Sequence, residues 1–412
     1  MPETAPPHTT SDSLLSVDVV LARLLNAVDR APETERINLR TALNRILAQD
    51  IESPETVPPF DNSAVDGYAI GDLDATKLSV SQRIAAGQAP EPLETGTAVR
   101  IFTGATIPPG ARAVVMQEDA TILESGFVRL PGSARDGQNI RKAGQEIQRG
   151  ETLLLTGQHL NPQRLGMLAS VGIAEVSVYR PLRVAFLSTG DELVEPGQAL
   201  GPGQIFNSNR YLLNALLQQL NFDPIDLGVV PDRLDATLAT LEKGARAADV
   251  ILTTGGASVG EEDHIQAALR QGGRMDLWRV AIKPGKPFMF GQFDGTPVLG
   301  LPGNPGAVVV TFLVLARAYL LRRQGKRNVL PPPLPLPAGF TVAKPGKRRE
   351  YLRVRIDGGG QLIQHPNQSS GMLSSAAWAE GLAVIPEHST VSPGTPLDYL
   401  SFAQLLSAGE PE

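Results

Sequence analysis

Between residues 181 and 330 the chain alternates two kinds of segment. Apolar, strand-like runs, RVAFLSTG, FDPIDLGVV, ADVILTTGG and PVLGLPGNP, are punctuated by glycine-containing turns. Stretches with apolar residues at helical spacing accompany them: SNRYLLNALLQQL, RLDATLATLEKGARA, DHIQAALRQ and GAVVVTFLVLARAYLLRR. Strand–helix alternation predicts a parallel sheet covered by helices on both faces. Ligands of such sheets sit beyond the carboxyl ends of the strands, where the loops gather.

The stretch LTTGGASVGEEDH, residues 252 to 264, falls at one of those ends. Its glycines let backbone come close to a ligand. The carboxylates of Glu261, Glu262 and Asp263 would repel a phosphate unless a cation lay between them. A metal-bridged phosphate ligand reconciles the two. The loop STGDEL, 188 to 193, echoes it, and both place small residues where backbone N–H groups can face an anion. Glu192, Asp232 and Asp263 then stand at the rim, although each alone could be a helix cap or first-turn residue. Lys283 and Lys286 lie in AIKPGKPFMFG, whose prolines reduce the freedom lost when an oxyanion is bound. LPGNPGAVVV adds a tight loop opening a helix.

Other segments are less committed. Residues 14 to 29 predict a helix capped by Ser13 or Ser16, and INLRTALNRILAQDI, 37 to 51, is a second amphipathic segment. From about 52 to 140, short pieces such as YAI, AVRIF, AVVMQ and FVRL between Pro and Gly predict a β-rich domain. Its loops PPFDNSAVDGYAI, IFTGATIPPGA (with Thr103) and NIRKAGQEI (with Arg141) are explained position by position by turn chemistry. Nothing in the sequence joins them to the sheet edge. NVLPPPLPLPAGF reads as a stiff linker to a C-terminal piece in which REYLRVRI alternates as a strand, a small barrel or sandwich.

Composition narrows the chemistry. The 412 residues include no cysteine, which removes disulfides, thiolate nucleophiles, iron–sulfur clusters and thiolate zinc sites. The five histidines are scattered, so a metal here is expected to be a hard cation on oxygen ligands, magnesium first. A net charge of -6 without a long basic run argues against nucleic acid. No apolar stretch is expected to approach the roughly 18 residues that span a bilayer. The opening MPETAPPHTTSDS lacks the features of a secretory signal and reads as a disordered tail, so a cytoplasmic location is expected.

Taken in order, FDNSAVDGYA, FTGATIP, NIRKAGQEI, STGDEL, TTGGASVGEEDH, AIKPGKP and LPGNP resemble the molybdopterin molybdenumtransferase family, the MoeA proteins and the related domain of gephyrin. The resemblance implies a multidomain α/β protein. Its parts would be a disordered tail (1–12), a discontinuous N-terminal domain (13–50 plus 141–180) and an inserted β-rich domain (51–140). A doubly wound molybdopterin-binding domain (181–330) and a small C-terminal β-barrel domain (331–412) would follow. It also implies a reaction: adenylylated molybdopterin is bound, its pyrophosphate link is cleaved with a divalent cation such as Mg2+, molybdate is inserted and AMP leaves. A homodimer with the site shared between subunits is implied too, with no nucleic-acid or membrane partner.

By motif position, the resemblance casts Asp66, Glu192, Asp232, Asp263 and Lys283 as catalytic. Asp232, Asp263 and Glu192 would hold the metal. Thr103, Arg141, Glu146, Thr189, Gly190, Gly255, Gly256, Ser258, Arg279, Lys286, Pro302 and Asn304 would contact the substrate. Glu146 stands where the family often has aspartate, and His264 where it commonly has tyrosine. Two rival readings are a pterin adenylyltransferase on the same fold, which needs only 181 to 330, and a non-catalytic scaffold or cofactor carrier.

Overall fold

A computed structural model of the chain describes residues 14–256 and 264–407. The chain divides into two compact units, one of Met1–Gln49, Thr156–Asn161 and Ser177–Glu412, the other of Asp50–Leu155 and Pro162–Val176.

At the centre of the first unit is a six-stranded sheet. Its order is Asp223–Val230, Arg183–Thr189, Val250–Thr254, Thr296–Leu301, Pro287–Phe293, Gly273–Arg279. Side chains alternate between its faces, as the two-residue strand period requires. Val184, Phe186, Val250, Leu252, Leu299 and Leu301 pack with the helices Val17–Asn26 and Ser208–Gln219 and the helical segment Pro305–Arg323. Ala185, Leu187, Ile251 and Val298 pack on the other face with Leu234–Ala247 and His264–Gly272. The doubly wound arrangement expected from the sequence is present.

The sheet is not wholly parallel. Its first four strands are parallel, but Pro287–Phe293 runs against them, and Gly273–Arg279, antiparallel to Pro287–Phe293, returns to their direction. The reason is a two-residue hairpin. Phe293 pairs with Thr296 across Asp294 and Gly295, which have φ of 46° and 74°. Asp-Gly is the turn sequence that supplies two positive φ angles and so matches the twist of a hairpin.

Three further expectations are corrected. INLRTALNRILAQDI is not a helix. The strand Thr34–Asn38 leads into a single 3-10 turn, Leu39–Thr41, whose Arg40 N–H donates to Asn38 Oδ1 at 3.0 Å. Asn44 then takes φ 63°, and Ile46 and Leu47 bridge to His159 and Val178 as buried residues. Asparagine side chains compete with helical hydrogen bonds, and that local competition wins here. The apolar segment Pro305–Arg323 spans 19 residues with mean hydropathy 1.5, long enough to cross a bilayer, yet 89% of it is buried inside the protein. It is a core helix, largely apolar over its first twelve residues, and its buried Arg317 donates to the Val329 carbonyl at 2.8 Å. Finally, the proline-rich linker contributes a strand, Leu334–Pro337, paired antiparallel with Pro396–Ser401. It lies at the end of its strand order, where proline's missing N–H costs no ladder bond.

That strand helps close a C-terminal barrel. Arg349–Ile356, Gly381–Ile385, Pro396–Ser401 and Leu334–Pro337 pair in sequence around it. Ala338 bridges to Leu362 in Leu362–Gln364, which pairs back with Arg349–Ile356. Leu352, Val354, Leu362, Ala383, Leu397 and Tyr399 fill the interior.

The second unit is built on another six-stranded sheet, ordered Ala113–Met116, Gly67–Ile70, Thr97–Ile101, Lys77–Ile84, Phe127–Arg129, Thr121–Ile122. The four expected strand pieces are there, with Lys77–Ile84 as an unexpected central strand.

Candidate active site

The carboxyl ends of the parallel strands define one cavity of about 810 Å³. Registers Ser188↔Thr254 and Thr254↔Leu301 bring the strand-end loops side by side. Thr189, Glu192, Gly255, Lys283, Lys286, Pro302 and Asn304 all line it, so seven of the site residues assigned from sequence converge. Gly255 shows why a glycine is needed. Its φ is 86°, and a Cβ there would stand 2.7 Å from Thr189 Oγ1. The residue brings two loop backbones together in a conformation other residues rarely adopt.

The basic loop is placed by the C-terminal barrel. Ile282–Lys283 pairs in parallel with Arg349 and Glu350, and Lys283 Nζ lies 2.8 Å from Glu350 Oε1. The amine of Lys286 has no hydrogen-bond or ion-pair partner among the described residues. Arg348 joins the same cavity, with Nη1 donating to the Ile282 carbonyl at 3.2 Å. Gln368, Ser369, Ser370 and Gly371 form a further wall. That wall is latched twice at Ser370. Asn304 Nδ2 donates to Ser370 Oγ at 3.2 Å, and the Ala307 N–H donates to the Ser370 carbonyl at 3.2 Å. Behind it the fully buried Arg353 donates to the Ser369 carbonyl at 3.0 Å and to Ser375 Oγ at 3.1 Å. Burial pushes the Arg353 guanidinium below its ordinary value. Sequence reasoning missed Arg348, Glu350 and the 368–371 wall, because their link to the sheet loops is a long-range strand pairing.

The acidic residues are less tightly gathered. Glu192 lines the cavity, whereas Asp232, Gly190, Gly256 and Arg279 do not. Asp232 is nonetheless tied to the Glu192 loop, since its N–H donates to Asp191 Oδ1 at 3.2 Å. The Arg279 carbonyl accepts from the Leu15 N–H at 2.8 Å. Ser258 and Asp263 lie outside the described residues. Among the described residues no group of three acidic or histidine side chains is close enough to hold a metal. Two of the three assigned carboxylates, Glu192 and Asp232, are on adjoining loops, and as hard oxygen donors they suit magnesium rather than a soft metal.

In the second unit the N-terminal motifs meet one another. Asn62 and Ser63 pair with Arg141 and Ile140. Asp61 accepts from Lys142 Nζ at 2.8 Å and from the Ala143 N–H at 2.9 Å. The Gly104 N–H donates to the Ser63 carbonyl at 2.8 Å. Asp66 Oδ1 accepts from both the N–H and the hydroxyl of Thr103. Those two bonds, the backbone one first, hold the Asp66 carboxyl below the usual range. Arg100 sits over the rings of Tyr68 and Phe102 and donates to the Gly67 carbonyl at 2.9 Å, bracing the backbone next to Asp66. Glu146 is exposed on the same motif as Arg141, and its N–H donates to the Val57 carbonyl at 3.1 Å. The loops that turn chemistry explained one at a time form a single patch.

Comparison with known families finds three matching segments. Residues 15–172 match the MoeA N-terminal region (domain I and II), 185–322 a probable molybdopterin binding domain, and 335–402 the MoeA C-terminal region (domain IV). A molybdopterin molybdenumtransferase of Haemophilus influenzae is 43% identical over 324 residues, covering 78% of this chain and 80% of the relative. One from Nostoc is 35% identical over 403 residues, 93% of this chain and 92% of the relative. Among solved structures, a molybdopterin biosynthesis MoeA protein of Pyrococcus horikoshii OT3 aligns with TM-score 0.81 at 30% identity, over 95% of this chain and 100% of that one. The chain belongs to the MoeA family of molybdopterin molybdenumtransferases.

Proposed function

We propose that this protein inserts molybdenum into adenylylated molybdopterin, cleaving the pyrophosphate link and releasing AMP. The observation that carries the reading is the strand-end cavity, where Lys286 and Arg348 have no carboxylate partner among the described residues and Glu192 stands on another wall. Uncompensated cations lining one cavity suit an oxyanion such as molybdate or a phosphate. Thr189 and Gly255 present small side chains and backbone at the strand ends, suited to the pyrophosphate. Glu192, Asp232 and Asp263 would hold a divalent cation, which supplies charge stabilisation for pyrophosphate cleavage. Asp66, Thr103, Arg141 and Glu146 would serve the same reaction within a cytoplasmic homodimer whose site is shared between subunits.

A pterin adenylyltransferase reading is disfavoured by one feature. The cavity wall at 368–371 comes from the C-terminal barrel, which that activity would not need. The test is mass spectrometry of the products formed from adenylylated molybdopterin. AMP release that depends on molybdate is expected. ATP-dependent adenylylation of molybdopterin instead, or no turnover, would replace this reading with one of its rivals.

A further inference from the structure

Of the three cations in the cavity wall, Lys283 alone is paired with a carboxylate, and the pairing is built into the fold. Strand register sets Lys283 beside Glu350, and the two charges meet at 2.8 Å. Glu350 is 18% exposed and Lys283 51%, so the carboxylate is the fixed, sheltered member of the pair. The charge of Glu350 is also felt by Arg353, wholly buried further along the same strand. We infer that Glu350 is a positioning residue that neutralises Lys283 and thereby limits how tightly the cavity holds an oxyanion. This rests on the oxyanion reading above.

The physical reasoning is short. A carboxylate close behind an anion site opposes every anion that enters, and it occupies the one amine that could add a third positive charge. Weak holding is useful to an enzyme that must pass its anion on, because ground-state binding that is too strong raises the barrier to the next step. Lys286 and Arg348 are left to capture the anion, and Lys283 contributes chiefly through its partner.

The test is calorimetric titration of the full-length protein with sodium molybdate. Glu350→Gln keeps the shape and a hydrogen-bond acceptor but removes the charge, and should bind molybdate about three- to tenfold more tightly. Lys283→Met alone leaves the Glu350 carboxylate uncompensated and should weaken molybdate binding, and combined with Glu350→Gln it should return the affinity to about the wild-type value. In turnover, Glu350→Gln should lower both KM for molybdate and kcat. Unchanged or weaker binding by Glu350→Gln would overturn the inference, as would a gain that survives Lys283→Met. Should Glu350→Gln fail to fold, Glu350→Asp, whose shorter side chain draws back from Nζ, should give a smaller gain in the same direction, and no gain would overturn it. A wild-type protein that binds no molybdate at all would refute the oxyanion reading itself.

Discussion

Asp66 and Thr103 are joined twice through a single oxygen: the backbone N–H and the hydroxyl of Thr103 both donate to Asp66 Oδ1, each at 2.8 Å. The other carboxylate oxygen makes no bond among the described residues, so the side chain is oriented with one acceptor to spare. Two distant motifs, FDNSAVDGYA and FTGATIP, thus act as one element.

Thr103→Val keeps the N–H and removes the hydroxyl. With one of its two donors lost, the Asp66 carboxyl should rise toward its ordinary value. Activity is expected to fall about tenfold near neutral pH, as the side chain loses its orientation. The acid limb of the pH–rate profile should move to higher pH, because a carboxylate with a raised pKa is lost sooner on acidification. An unshifted profile with full activity would show that Asp66 takes no part.

Lys286→Ala should raise the molybdate concentration required for half-maximal AMP release by about tenfold or more, since an uncompensated charge is lost from the pocket. Titrating molybdate in the AMP assay measures this. An unchanged requirement would place the anion elsewhere.

Asp249 gives the fold a pH dependence that is separate from the site. Burial pushes its carboxyl up, but the Arg180 guanidinium at 2.7 and 2.8 Å and the Arg183 N–H at 2.8 Å pull it further down, to about 2. Stability from a depressed carboxyl is complete above its unfolded value of 3.8 and is lost as pH falls toward about 2. Asp249→Asn should cost about 2 kcal/mol near neutral pH, and less at about pH 3. Urea denaturation at the two pH values compares them. An equal cost at both would assign the effect to packing rather than charge.

The proposed sharing of the site between two subunits makes a further expectation. Asp66→Ala and Asp232→Ala, each inactive alone, should complement when mixed and allowed to exchange. Each heterodimer would have one site carrying both changes and one carrying neither, so recovery of about a quarter of wild-type activity is expected from two-fold symmetry. Demonstrated exchange without recovery would place the site within one chain.

Much of this was legible in the sequence. Strand–helix alternation located the doubly wound sheet, and loop residues at strand ends located the cavity, because both follow from local pattern and topology. The second amphipathic segment was not legible as non-helical, since Asn38 and Asn44 decide it through local bonds that periodicity ignores. Asp294-Gly295 carried a readable hairpin signal that accounts for the antiparallel strand Pro287–Phe293. Lys283 was visible as a basic residue, but its partner Glu350 lies 67 positions away and is brought in only by parallel pairing of two strands. The expected carboxylate cluster is drawn together only in part, by the bond from Asp232 to Asp191.

The most direct test is the rate of AMP release from adenylylated molybdopterin by Glu192→Gln and Asp232→Asn, with molybdate and magnesium present. Each variant should keep the wild-type melting temperature and lose at least about a hundredfold in rate, a loss of several kcal/mol of transition-state stabilisation typical of a missing cation-clamping charge. Wild-type rates in both variants would contradict the assignment of the strand-end cavity as the place where the pyrophosphate is cleaved.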